Sequence, residues 1–122
     1  MPEKIAMSYL PVFRQDIQRT LAWSDQKFGA AAADRYGRLI RQALCDLLAE
    51  PTRPGAKARP DLAPHAYVYH LIYSRDRVTG TRVKAPRHFV LYRYNHGKVE
   101  FARLLHDSRD LAQHVPDALR DE

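Results

Sequence analysis

Gly29 stands alone between two long stretches of helical periodicity, and so short a link most simply folds them back on each other as an antiparallel hairpin. Phe13, Ile17, Leu21, Ser24 and Phe28 share one face of a helix predicted from about Val12 to Phe28. Asp16, near its start, suits the positive end of the helix dipole. A second helix is predicted from about Ala30 to Ala49, with Tyr36, Ile40, Ala43, Leu44, Leu47 and Leu48 as its apolar stripe. Pro51 disfavours helical geometry at Glu50 and ends it. The two stripes need a surface to bury against, and the rest of the chain reads as a sheet.

Ile5 to Leu10 forms a short first strand, ended by Pro11. Residues 51–64, with four prolines and a glycine, read as a loop. Ala66 to Tyr73 is the next strand, and residues 74–86 make a basic connection around Thr79-Gly80. Arg87–Tyr94 and Lys98–Leu105 then form a hairpin joined by Asn95-His96-Gly97. With residues 95–98 as the loop, Tyr94 faces Val99, Arg93 faces Glu100, Tyr92 meets Phe101, Leu91 meets Ala102 and Phe89 meets Leu104. Such pairs contribute roughly 0.2–1 kcal/mol each. Both faces of this hairpin are substantially apolar, as in strands covered on both sides. Helices cover one face, and the C-terminal segment or another protein covers the other. Asp107 or Ser108 caps a short terminal helix stopped before Pro116. The expected architecture is α+β: an N-terminal helical hairpin packed on a small, mostly antiparallel sheet, in the order β-α-α-β-β-β-α. It occupies one domain over 1–122, with a core at about 5–115 and a short C-terminal tail.

At 45% hydrophobic residues the chain can build a core, and general disorder is excluded. No apolar run approaches the roughly 20 residues of a membrane span. No basic segment followed by an apolar stretch opens the chain, so a cytoplasmic protein is expected. Cys45 is the only cysteine, which rules out an intramolecular disulfide. Among Leu44, Leu47 and Leu48 it is expected to be a buried structural thiol. Charge is uneven: residues 51–106 hold eleven Lys/Arg against three Asp/Glu, whereas residues 107–122 hold two against five. Arginine supplies 15 of the 20 basic residues, and its planar fork of donors suits phosphate or carboxylate. An anionic partner is implied, either nucleic acid or an acidic protein; a merely solvated basic surface is the bland alternative.

In four ordered pieces the sequence resembles the RelE/ParE toxin superfamily, and its ParE branch in particular. These are Asp16-Ile17 in the first helix and AADRYGRLIRQALCDLLAEPTRPG from Ala32 to Gly55. HFVLYR from His88 to Arg93 and ARLLHDSRDLAQHVP from Ala102 to Pro116 complete the set. Two departures accompany the match: Arg109 stands where the family often has Met, and the 74–86 connection is longer. The resemblance implies a RelE/ParE-like fold and the toxin of a type II toxin–antitoxin system, neutralised by a cognate acidic antitoxin in a hetero-oligomer. ParE-like members poison DNA gyrase. RelE-like members are endoribonucleases that cut messenger RNA on the ribosome. Fold alone does not separate these activities.

Messenger RNA cleavage needs groups to activate the 2′-hydroxyl, steady the phosphate and protonate the leaving oxygen. Arg87, Arg93 and Arg103 lie on the last strands, but no Tyr follows Tyr94, and Arg120 is the only basic residue after Arg109. This favours gyrase as the target over the ribosome, without intrinsic catalysis. A non-toxic homologue that only binds antitoxin is the third alternative. Arg93, Arg103, His106 and Arg109 are expected to shape the target-facing surface, by contact or by support, with Tyr92, Asp107 and Asp110 behind them. For Arg103 a salt bridge to Asp107 or Asp110 is the structural alternative, and for His106 a local hydrogen bond at the strand end. The tyrosines at 67, 69, 73, 92 and 94, interleaved with Arg, fit either base stacking or ordinary strand composition. Six histidines without a Cys pair or acidic cluster make zinc an unexpected ligand, and no cofactor motif is present.

Overall fold

In the computed structural model, which describes residues 5–120, Leu10 ends the first strand with a backbone bond to Phe101 and the chain turns at once into a helix. Residues 1–4 and 121–122, included in the expected 1–122 span, lie outside the described residues. Strand β1 (Ala6–Tyr9) precedes helices α1 (Pro11–Phe28) and α2 (Ala30–Ala49). A two-residue strand β2 (Lys57–Ala58) follows, then β3 (Ala66–His70), β4 (His88–Asn95), β5 (Lys98–His106) and a final turn of helix α3 (Asp117–Arg120). The sheet order is β1-β5-β4-β3-β2, antiparallel except that β1 runs parallel to β5. The α+β, RelE/ParE-like architecture is as expected.

Pro11 opens α1 at the position where a missing N–H costs nothing. Gly29, at φ 92°, links the helices directly, and Glu50 is extended ahead of Pro51, so both helix ends fall where the sequence places them. Along α1 the buried residues are Phe13, Asp16, Thr20 and Ser24, whereas Phe28 is 66% exposed and leaves the predicted stripe. Cys45 is exposed, correcting the expected buried thiol. One residue beyond Leu44 is a rotation of about 100° on a helix, enough to carry the side chain off the apolar stripe.

The hairpin turn is the two residues His96 and Gly97, both at positive φ, as a type I′ turn requires. Asn95 faces Lys98, and the register Tyr94–Val99, Arg93–Glu100, Tyr92–Phe101 holds. Beyond it the ladder shifts by one: Leu91 faces Arg103 and Phe89 faces Leu105, not Ala102 and Leu104. Ala102 is the extra residue of a β-bulge. The bulge moves Arg103 off the face that carries Val99 and Phe101.

Two clusters follow. On the helix side Leu39, Leu47, Val90, Val99, Phe101 and Leu104 are buried with Tyr69 and Tyr92. The opposite face buries Ala66, Val68, Leu91 and Ala102 beneath Val115 and Leu119, so the C-terminal segment covers it. That segment is capped by Asp110, whose carboxylate accepts from Ala112 N–H, rather than by Asp107 or Ser108. It forms a 3-10 turn, Leu111–His114, before Pro116, and α3 comes after the proline. β3 also ends sooner than expected, at His70, because the His70 ring accepts from Ile72 N–H and starts a 3-10 turn over Leu71–Arg77. Leu119 is 0% exposed and closes the second face. Leu119→Ala is expected to cost about 2–5 kcal/mol in denaturant unfolding, with little change in the helix-side core.

Candidate functional site

The ends of β3 and β5 and the start of β4 converge at one end of the sheet, and most of the polar side chains singled out from the sequence gather there or beneath the C-terminal segment. Asp107 lies at the centre. Its carboxylate accepts from Arg87 Nε, shared between Oδ1 and Oδ2 at 3.1 Å each, from Arg87 Nη2 on Oδ1 at 3.1 Å, and from the His70 Nε2 on Oδ2 at 3.1 Å. Burial alone would raise its pKa, but the bonds from Arg87 and His70 outweigh burial and hold the carboxyl below its ordinary range.

Three histidines flank this pair, each with its Nδ1 occupied. The His70 Nδ1 accepts from Ile72 N–H, and the His106 Nδ1 accepts from Ser108 N–H at 3.1 Å. The His88 Nδ1 meets the Tyr36 hydroxyl, which itself accepts from Arg87 N–H at 3.0 Å. With Arg87 N–H on one lone pair of that oxygen, the tyrosine proton can be donated to His88 Nδ1, an arrangement in which the ring is neutral and carries its own proton on Nε2. Burial pushes Tyr36 up to about 12, consistent with a hydroxyl that stays protonated. Burial, reinforced by the neighbouring His106, pulls His88 down to about 4. The His88 and His106 rings meet edge to face at 5.3 Å.

Arg103 and Arg93 lie on the second face as clamps. Arg103 sends Nε and Nη2 to the two carboxylate oxygens of Asp16, at 2.7 and 3.1 Å, and Nη1 to the His114 carbonyl at 3.2 Å. Asp16 is 5% exposed and also accepts from Leu104 N–H at 3.0 Å. The partner of Arg103 is thus Asp16 rather than Asp107 or Asp110. Asp16 itself faces the sheet, not the helix dipole. Arg93 bonds Glu100 at 2.8 Å and the Leu119 carbonyl at 3.2 Å, holding α3 in place. Tyr92 is wholly buried, stacks on Tyr67 and donates to the Pro51 carbonyl. Arg109 is exposed, and its backbone N–H bonds the His106 carbonyl. His70, Arg87, His88 and Tyr36 complete the arrangement although sequence reasoning did not place them there. No local signal joins residues that meet only through strand pairing.

No group of three His, Cys, Asp or Glu able to hold a metal occurs among the described residues. No helix is long and apolar enough to cross a membrane among them either. Over residues 8–111 the chain matches the family model for the ParE toxin of the type II toxin–antitoxin system parDE. The chain belongs to the ParE toxin family. A solved structure from the chromosomal ParDE toxin–antitoxin system of P. aeruginosa is similar to this ParE-family chain, with a TM-score of 0.60 at 10% identity. The similarity covers 84% of this chain and 96% of that one, and it shows a shared fold. No curated protein matches.

Two outcomes follow from this geometry. Removing one member of a buried, hydrogen-bonded ion pair strands the other, so Asp16→Ala and Arg103→Ala should each cost about 3–5 kcal/mol in denaturant unfolding. The double variant should lose clearly less than the two together. His88 gives a pH signature. Above its ordinary value of 6.5 both folded and unfolded chains carry it neutral. Between there and about 4 the unfolded chain takes a proton that the folded chain refuses. Stability should fall with pH through that window, by about 1.4 kcal/mol per unit at most, and His88→Gln should flatten the curve measured by thermal melts.

Proposed function

We propose that this chain is a cytoplasmic toxin that inhibits DNA gyrase and is kept inactive by a cognate acidic antitoxin. The observation that carries this reading is the engagement of the groups messenger RNA cleavage would require. Arg93 and Arg103 are occupied by Glu100 and Asp16 and by the C-terminal segment. His70, His88 and His106 each use Nδ1 internally, and Tyr92 is buried. Acid–base cleavage of RNA needs two accessible titratable groups flanking a phosphate, and this arrangement supports holding a surface rigid instead. The rigid surface is the one around Arg109, exposed beside His106 and Asp110. Arg103 and Arg93 support it from below, Asp107 and Asp110 fix the turn that presents it, and Tyr92 anchors β4.

The antitoxin reading rests on family membership together with eleven basic residues against three acidic ones over 51–106, a field complementary to an acidic protein. Purified gyrase should lose supercoiling activity and accumulate cleaved DNA when the chain is added, whereas transcripts translated on ribosomes should show no codon-phased ends by primer extension. Arg109→Glu should weaken gyrase inhibition roughly tenfold without changing the melting temperature. Codon-phased cuts with untouched gyrase would replace this reading with the ribonuclease one, and growth unaffected by induction of the chain alone would leave only antitoxin binding.

A further inference from the structure

Trp23 is the one tryptophan of the chain, and it stands near the tip of the helical hairpin with 43% of its surface exposed. Phe28, 66% exposed, meets it edge to face, with ring centroids 5.7 Å apart and ring planes at 83°. Such a contact uses one ring face and one ring edge, and exposure of this size leaves flat aromatic surface on both residues open to solvent. The two rings form one wall of a cleft of about 400 Å³, and residues 81–85 of the β3–β4 connection form the other. That volume lies in the range of pockets that take a small ligand, roughly 300–1,000 Å³. Isolated exposed apolar residues are ordinary, but paired aromatics lining a concave cleft are a mark of a recognition site.

The charges around the rings set what the cleft selects. Arg35, Arg82, Lys84 and Arg87 line it, and among the described residues no Asp or Glu does. Arg87 is held by Asp107, whereas Arg82 has only an exposed pair with Asp76 at 3.4 Å. The side chains of Arg35 and Lys84 make no hydrogen bond or ion pair among the described residues. Half-buried Arg35 is thus an uncompensated cation inside the cleft, a position that attracts an anion. The wall carrying Arg82 and Lys84 is held in place, because Val83 packs against the helix-side core and Arg75 donates to the Lys84 carbonyl at 2.8 Å. A groove that receives an amphipathic helix offers a row of aliphatic side chains, and no Leu, Ile or Met lines this one among the described residues. Its large exposed apolar groups are flat rings instead. Flat rings beside cations are the pattern that holds an unpaired strand, with bases on the rings and phosphates on the guanidinium and ammonium groups. In a duplex the bases stack on one another, so only a single strand can use both parts.

We propose that this cleft binds a single strand of DNA, with a base stacked on Trp23 or Phe28 and the adjoining phosphates on Arg35, Arg82 and Lys84. The site stands on the chemistry of the cleft itself, and the choice of DNA over RNA rests on the gyrase reading above. The test uses the full chain and, as probe, a short oligothymidylate, which does not pair with itself. Stacking should quench the fluorescence of Trp23. Titrations at varied salt should give a log–log slope of about −2, from roughly 0.7 for each of the phosphates met by Arg35, Arg82 and Lys84. Phe28→Ala should weaken binding about tenfold. The double variant Arg82→Gln/Lys84→Gln should weaken it at least tenfold and flatten the slope to about −0.7. Lys98→Gln, across from Asn95 at the opposite end of β4 from Arg87, should stay within twofold of the parent. All of the changed side chains are exposed, so melting temperatures should be unaltered. Absence of quenching, or binding kept within twofold by either cleft variant, overturns the proposal. Tenfold tighter binding of an oligouridylate of equal length overturns the DNA assignment in favour of RNA. If the cleft variants weaken binding of the antitoxin and not of the oligonucleotide, the cleft is a protein site and the proposal fails. Gyrase inhibition, scored in parallel, separates the two readings. Inhibition without quenching overturns this inference alone, whereas quenching as expected with gyrase untouched overturns the gyrase reading and supports the site.

Discussion

A single buried carboxylate joins the three parts of this fold. β1 leaves the sheet at Tyr9, and its last bond is Leu10 N–H to Phe101, so the edge of β5 beyond that point has no strand partner. Asp16, one turn into α1, accepts the next free N–H of that edge, from Leu104. An ionised carboxylate so placed is costly unless paired, and Arg103 pairs with it through two nitrogens. The remaining reach of Arg103 goes to the His114 carbonyl, so the helix hairpin, β5 and the C-terminal cover meet at one guanidinium. Arginine suits the role because its fork can face a carboxylate and a carbonyl at once, which a lysine cannot do with fixed geometry.

A second buried carboxylate, Asp46 near the C-terminal end of α2, repeats the logic. Asp46 accepts from Ser74 at 2.7 Å, Arg77 at 2.8 Å and Gln42 at 2.9 Å, with Arg53 beside it at 2.8 Å. Burial works against its ionisation, yet these donors prevail and keep the carboxyl below its ordinary range. Much of the basic character of the chain thus serves internal acids. The Arg count alone overstates how much positive surface is offered to a partner.

The helical hairpin, the Pro51 stop and the β4–β5 turn were legible because each depends on neighbours in sequence: Gly29, the Glu50–Pro51 step, and His96-Gly97. The first half of the β4–β5 register was legible for the same reason, through the Arg93–Glu100 pair. Ala102 was not, since a methyl group fits either face and carries no signal of alternation. The shift it introduces puts Arg103 on the face opposite the one that carries Val99 and Phe101. Asp16 read as a local helix-end charge because its partner lies 87 residues away. The His70–Asp107 and Tyr36–His88 contacts were hidden by the same kind of separation.

The parallel pairing of β1 with β5 has a consequence for synthesis. Residues 6–9 wait for residues 98–101 before they gain a strand partner, and Asp16 waits for Arg103. At roughly 5–20 residues per second, the nascent chain spends on the order of five to twenty seconds with its first strand unpaired and its hairpin uncovered. During that interval the chain offers apolar helix faces to the translation machinery's surroundings, and its clamp cannot close. Activity can then begin only as the last third of the chain is delivered, so that the time taken to translate the message sets a built-in delay between the start of synthesis and the appearance of a folded toxin.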